Sequence, residues 1–156
     1  MKIALLFASK SGTTEKAATL LAEKLGDAEC FDLGRKTPDL DPFDALIIGG
    51  PIRMGKLHKA VAGFIDDNRA AIRKKPYGLF ICCGFTDQAV EELENVFDED
   101  LRAGAVAVAS FGGELDISKQ KGPDKMIAKM ALKSFPDMQP PTIDEDAITR
   151  FAEAFA

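Results

Sequence analysis

The sequence predicts a single α/β domain, a doubly wound five-stranded parallel sheet with helices on both faces. Three observations carry that expectation. Continuous apolar runs such as Ile3-Ala4-Leu5-Leu6-Phe7-Ala8 and Ala45-Leu46-Ile47-Ile48 read as strands buried on both faces. Between them the apolar spacing changes to the period of a helix. The chain of 156 residues can bury one core without disulfides or metals, and it has no repeat, low-complexity tract or linker that would divide it. One domain over residues 1–156 follows, with right-handed crossovers between its strands.

Taken in order, Lys2 to Ser9 is the first strand. Ala18, Leu21, Ala22 and Leu25 form the stripe of a helix that Gly26 is placed to end. Ala28 to Leu33 and Asp44 to Gly50 are the second and third strands. Leu57, Val61, Phe64 and Ile65 mark a second helix. Tyr77 to Cys83 is the fourth strand, and Val90, Leu93, Phe97 and Leu101 mark one third helix. Ala105 to Phe111 is the fifth strand. A capping-box pattern, Thr142-x-x-Glu145 after Pro141, opens a last helix with the stripe Ala147, Ile148, Phe151 and Phe155. Glu114 to Gln139 gives no clear pattern beyond a short amphipathic stretch around Met126, Ile127, Met130 and Ala131.

The net charge of −5 argues against nonspecific nucleic-acid binding through a basic face. No apolar run approaches the roughly 18 residues of a membrane span, and the first residues lack a signal-peptide pattern, so a cytoplasmic protein is expected. A single histidine excludes a multi-histidine metal site. Cys30, Cys82 and Cys83 lack C-x-x-C spacing, and they are either reduced, packed thiols or residues with a redox or ligand-contact role.

Ligands of an open α/β sheet sit beyond the carboxyl ends of its strands, where strand order reverses. Three loops emerge there. Ser9-Lys10-Ser11-Gly12-Thr13-Thr14 joins a buried strand to a helix start, where unpaired N–H groups and hydroxyls suit a monoester phosphate. It matches neither G-x-x-x-x-G-K-[ST] nor G-x-G-x-x-G, and an ordinary Ser/Thr helix cap is the plainer alternative. The second loop, Gly49-Gly50-Pro51-Ile52-Arg53-Met54-Gly55-Lys56, has glycines that allow close backbone approach, or is simply a strand-to-helix turn. The third is Cys83-Gly84-Phe85-Thr86-Asp87. The segment Ser110-Phe111-Gly112-Gly113 is a weaker candidate.

The first loop resembles the [TS]-x-[ST]-G-x-T loop of flavodoxins, matching every fixed position. That resemblance implies strand order 2-1-3-4-5 and bound FMN, with Ser9, Ser11, Gly12, Thr13 and Thr14 on its phosphate and Lys10 beside them. It places Pro51, Ile52, Arg53, Met54 and Gly55 against the flavin ring, with the Met54-Gly55 peptide near its N5. Cys83, Gly84, Phe85 and Asp87 supply backbone contacts to the pyrimidine edge, an aromatic stack and a nearby carboxylate; Phe85 is alternatively a core residue. The only tyrosine, Tyr77, lies at the wrong end of its strand to stack.

The stretch from Ile48 to His58 also resembles the I-G-x-x-I-R-x-G-x-x-H segment of menaquinone-dependent protoporphyrinogen dehydrogenases, and Gly112-Gly113-Glu114-Leu115 is similar to their C-terminal part. The region from Gln120 to Phe135 lacks that group's aromatic and basic cluster. Arg53 then approaches the flavin or an acidic substrate, or is a solvated loop charge. His58 starts the second helix or makes a structural hydrogen bond. The expected function is electron transfer through noncovalent FMN to redox partner proteins. The alternatives are a dehydrogenase acting on a quinone-type small molecule or protoporphyrinogen, and an FMN-free interaction domain. No nucleophile–base pair is evident.

Overall fold

A computed structural model of the chain describes residues 2–9, 12–53, 56–82, 89–112 and 143–155. Its strands are β1 (Ile3–Phe7), β2 (Ala28–Asp32), β3 (Ala45–Arg53), β4 (Lys56–Leu57), β5 (Tyr77–Cys82) and β6 (Ala107–Ser110). Its helices are α1 (Thr13–Leu25), α2 (Lys59–Arg73), α3 (Ala89–Val96), α4 (Glu99–Gly104) and α5 (Glu145–Ala154). The parallel sheet runs β2-β1-β3-β5-β6, which is the expected order once the two-residue β4, antiparallel to β3, is set aside.

The central strands are apolar throughout because each alternates between two buried faces. Ala4 and Leu6 of β1, Leu46 and Ile48 of β3, and Leu79 and Ile81 of β5 face one core. There they meet Val61, Phe64, Ile65 and Ile72 of α2, with Phe97 and Leu101 beyond. Ile3, Leu5, Phe7, Ala45, Ile47 and Phe80 face the other core, against Ala17, Ala18 and Leu21 of α1 and Ala147, Ile148 and Phe151 of α5. Lys75 Nζ ties the long β2–β3 connection down by donating to the carbonyls of Leu40, at 2.7 Å, and Phe43.

Three expectations need correction. The third strand does not stop at Gly50; it continues through Pro51, Ile52 and Arg53 and turns back into β4, so Leu57 belongs to a strand and not to the second helix. The stripe from Val90 to Leu101 is broken into α3 and α4, because Asp98 takes an extended conformation and caps α4 by accepting from Leu101 N. The last helix starts at Glu145, capped by Asp144 accepting from Ala147 N at 3.0 Å, so Glu145 is the first helical residue and not the third of a capping box. Pro141, Thr142 and the amphipathic stretch around Met126 to Ala131 lie outside the described residues.

Candidate functional site

Strand order reverses between β1 and β3, and the parallel pairing there puts the carboxyl ends of three strands at one end of the sheet. Phe7 is level with Gly49, and Pro51 with Cys82. The chain leaving β1 and β5 therefore begins beside the outer part of β3, which runs on to Arg53. These three stretches are the ones that the sequence singled out.

The segment after β1 is shaped by Gly12, whose φ of 90° puts it in the left-handed region. A Cβ at this position would meet nothing within 4 Å, so the demand for glycine is conformational and not steric. Gly12 N donates to Ser9 Oγ at 3.0 Å and closes the loop. Gly12 is also the N-cap of α1, whose first intrahelical bond runs from Lys16 N to Gly12 O. No side chain caps this helix among the described residues. Thr14, in the first turn, is 1% exposed, and its Oγ1 is buried without a hydrogen-bond partner. A buried hydroxyl left unpaired costs about 1–3 kcal/mol. Thr13 is half-buried beside it, and Glu15 of the same turn is exposed. Lys10 and Ser11 lie outside the described residues.

The second segment differs from its expected form. Gly49 and Gly50 do allow close approach, but the space above them is taken by the protein itself. A Cβ on Gly49 would lie 2.4 Å from the ring of Phe80, and one on Gly50 would lie 2.9 Å from Val61 Cγ2. Neither glycine leaves room for a ligand. Pro51 and Ile52 are half-buried, and Arg53 ends the strand opposite Lys56. Met54 and Gly55, the residues between them, lie outside the described residues. His58 is the N-cap of α2, with Nδ1 accepting from Ala60 N at 3.1 Å, so it both starts the second helix and makes a structural hydrogen bond.

Of the third segment, Cys83, Gly84, Phe85, Thr86 and Asp87 lie outside the described residues. Cys82, which precedes them, is buried. Tyr77 stands at the opposite end of β5, where its hydroxyl donates to Leu101 O at 2.6 Å. In the weaker candidate after β6, Gly113 lies outside the described residues, and Phe111 is fully buried and stacks on Phe80, with ring centroids 4.7 Å apart. It is a core residue. Cys30 sits on the edge strand β2, and its thiol pKa is raised, chiefly by desolvation and then by Glu15, which keeps it protonated and favours an inert thiol.

Sequence reasoning missed two features. The β3–β4 hairpin was signalled by two short paired runs with Met54-Gly55 between them. Glu92 of α3 carries a buried Oε2 without a partner, and nothing in an acidic helix stretch distinguishes it from solvated neighbours. Among the described residues no group of three or more His, Cys, Asp or Glu could hold a metal ion. No described helix is long and apolar enough to cross a membrane. A cleft of about 470 Å³ runs along β6, lined in part by Leu93, Val108, Asp144, Arg150 and Phe151, and Ser110 of the weaker candidate segment also lines it.

Comparison with known proteins gives the same frame. A family model for the flavodoxin domain matches residues 4–136. No curated protein matches the chain. Among solved structures, a Streptococcus pneumonia TIGR4 flavodoxin superposes with a TM-score of 0.58 at 16% identity, covering 99% of this chain and 97% of that one. A flavoprotein from Lactobacillus acidophilus NCFM, solved in complex with FMN, gives 0.51 at 20% identity over 70% of this chain and 92% of its own. The rubredoxin oxygen:oxidoreductase of Desulfovibrio gigas gives 0.56 at 17% identity and covers 98% of this chain, which spans only 36% of that longer protein. Identities this low speak to the fold; the family model speaks to kinship, and by it the chain belongs to the flavodoxin domain family.

Proposed function

We propose that the chain binds FMN noncovalently at the carboxyl end of its sheet and passes electrons between redox partner proteins. The observation that carries this reading is Thr14 Oγ1, buried and unpaired in the first turn of a helix that no described side chain caps. Unpaired helix N–H groups favour an anion at that place, and a monoester phosphate offers the acceptors that both they and Thr14 lack. Ser9, Lys10, Ser11, Gly12, Thr13 and Thr14 would hold the phosphate. Pro51, Ile52, Arg53, Met54 and Gly55, with Cys83, Gly84, Phe85 and Asp87, would border the ring, since Pro51 is level with Cys82 at the carboxyl end of the sheet. The cofactor would supply the electron or hydride chemistry, and the residues around it binding, orientation and access. The net charge of −5 suits a partner with a basic face.

The test is direct. The purified protein should take up FMN and show a flavin visible spectrum. Thr14→Val should weaken FMN by about tenfold, the factor for one lost hydrogen bond to a charged group, while leaving riboflavin unchanged. A wild-type protein that stays colourless and takes up no added FMN overturns the reading. The likeness of Ile48–His58 to menaquinone-dependent protoporphyrinogen dehydrogenases supports a second reading from sequence alone, and rapid turnover of menaquinone with protoporphyrinogen in the same preparation would put it first.

A further inference from the structure

We propose that His58 is a positioning residue for the flavin ring, because it locks the β3–β4 hairpin to the start of α2. This rests on the FMN reading above. Three ties converge on the residue. Its backbone N donates to Pro51 O at 3.1 Å, extending the pairing of β3 with the returning chain. Its Nδ1 accepts from Ala60 N at 3.1 Å, and its carbonyl accepts from Val61 N and Ala62 N, both at 3.0 Å. One residue thus closes the hairpin on one side and begins the helix on the other.

The ladder that His58 closes is short: Ile52 with Leu57 and Arg53 with Lys56. Two pairs do not hold an isolated hairpin in water, so its place must come from what it is tied to. The packing beneath agrees. A Cβ at Gly50 would sit 2.9 Å from Val61 Cγ2 and 3.7 Å from both His58 Cβ and Leu57 Cδ1, which leaves the outer end of β3, the hairpin and the first turn of α2 no slack. The helix has no acidic residue in its first turn to assist, so the imidazole is its side-chain cap. Accepting at Nδ1 requires the neutral ring with its proton on Nε2.

When the cap is lost, the helix start loosens and the hairpin loses its anchor, while the loop from Ser9 to Thr14 is left as it is. The consequence is specific to the ring. His58→Ala should weaken FMN and riboflavin by the same factor, up to about fivefold, which is what a ~1 kcal/mol cap is worth, and should shift the midpoint potential of the bound flavin. His58→Asn, which can cap the same N–H, should restore both to the wild-type values. His58→Gln, which keeps bulk but caps poorly, should behave as the alanine variant and serves if alanine fails to fold.

Urea unfolding of the flavin-free proteins separates the two kinds of effect. A change confined to the urea midpoint, with riboflavin affinity and potential at wild-type values in the alanine and glutamine variants, overturns the positioning role. So does failure of asparagine to restore them. A wild-type protein that binds no FMN defeats the underlying reading, whereas one that binds FMN with unchanged variants defeats this inference alone.

Discussion

Asp98 stands where the chain leaves α3 and enters α4, and it uses both carboxylate oxygens. Oδ1 accepts from Leu101 N at 2.9 Å, and Oδ2 pairs with Arg69 Nη2 on α2 at 2.6 Å. The Arg69 guanidinium first, and the Leu101 amide second, hold its pKa below the usual carboxylate value. A depressed pKa stabilises the fold above the unfolded carboxylate value, and that contribution is lost as pH falls through the lower folded value. The ion pair is half in solvent, so its share is small and salt-sensitive. Asp98→Ala should cost about 1 kcal/mol at neutral pH, read as a lower urea midpoint. Asp98→Asn, still able to cap, should lose less, and its stability should fall less steeply than that of the wild type on acidification. The sequence hid this cap because the helical stripe continues from Val90 to Leu101 straight through it. Gly12 was legible as part of a short contiguous loop motif, but its left-handed backbone emerged only with the structure.

At the scale of elements, β3 is the instructive case. Its buried run, Ala45 to Ile48, announced a strand, and the two glycines after it looked like an end. They are instead points where side chains from opposite faces lie on the backbone: the Phe80 ring over Gly49 and Val61 over Gly50. Such a contact comes from packing between elements and leaves no local signature. The hairpin was lost with it, since pairing of Ile52 with Leu57 depends on what holds the turn in place. Gly49→Ala should force the Phe80 ring or the strand to move, at a cost of about 1–3 kcal/mol measured by thermal or urea unfolding. Because Gly49 faces the core of α1 and α5 and not the hairpin, the loss should appear in stability and leave riboflavin affinity within about twofold, the spread expected of independent sites.

At the scale of the whole molecule, the alternation of apolar runs gave a doubly wound parallel sheet with right-handed crossovers, and the resemblance to flavodoxins gave the order of its strands. One core closes on aromatic rings: Phe80 stacks on Phe111, and Phe151 meets both edge-on, at centroid distances of 6.4 and 5.2 Å. Phe151→Ala should cost about 3–5 kcal/mol, a large part of the roughly 5–15 kcal/mol that holds such a domain, and should be the most damaging of these changes in a urea titration. The same corner contains a junction of another kind. Gly112 bridges to Ile143, and Asp144 N donates to Phe111 O at 2.7 Å, so the chain that departs after β6 and the chain that returns before α5 are fastened to each other. Lengthening or shortening the run between fastened ends changes loop entropy only logarithmically. A change in the length of that run should therefore cost the fastened frame little loop entropy. Because β6 lies parallel to β5, that fastening stands at the carboxyl end of the sheet, the end from which the chain also leaves β1 and β5.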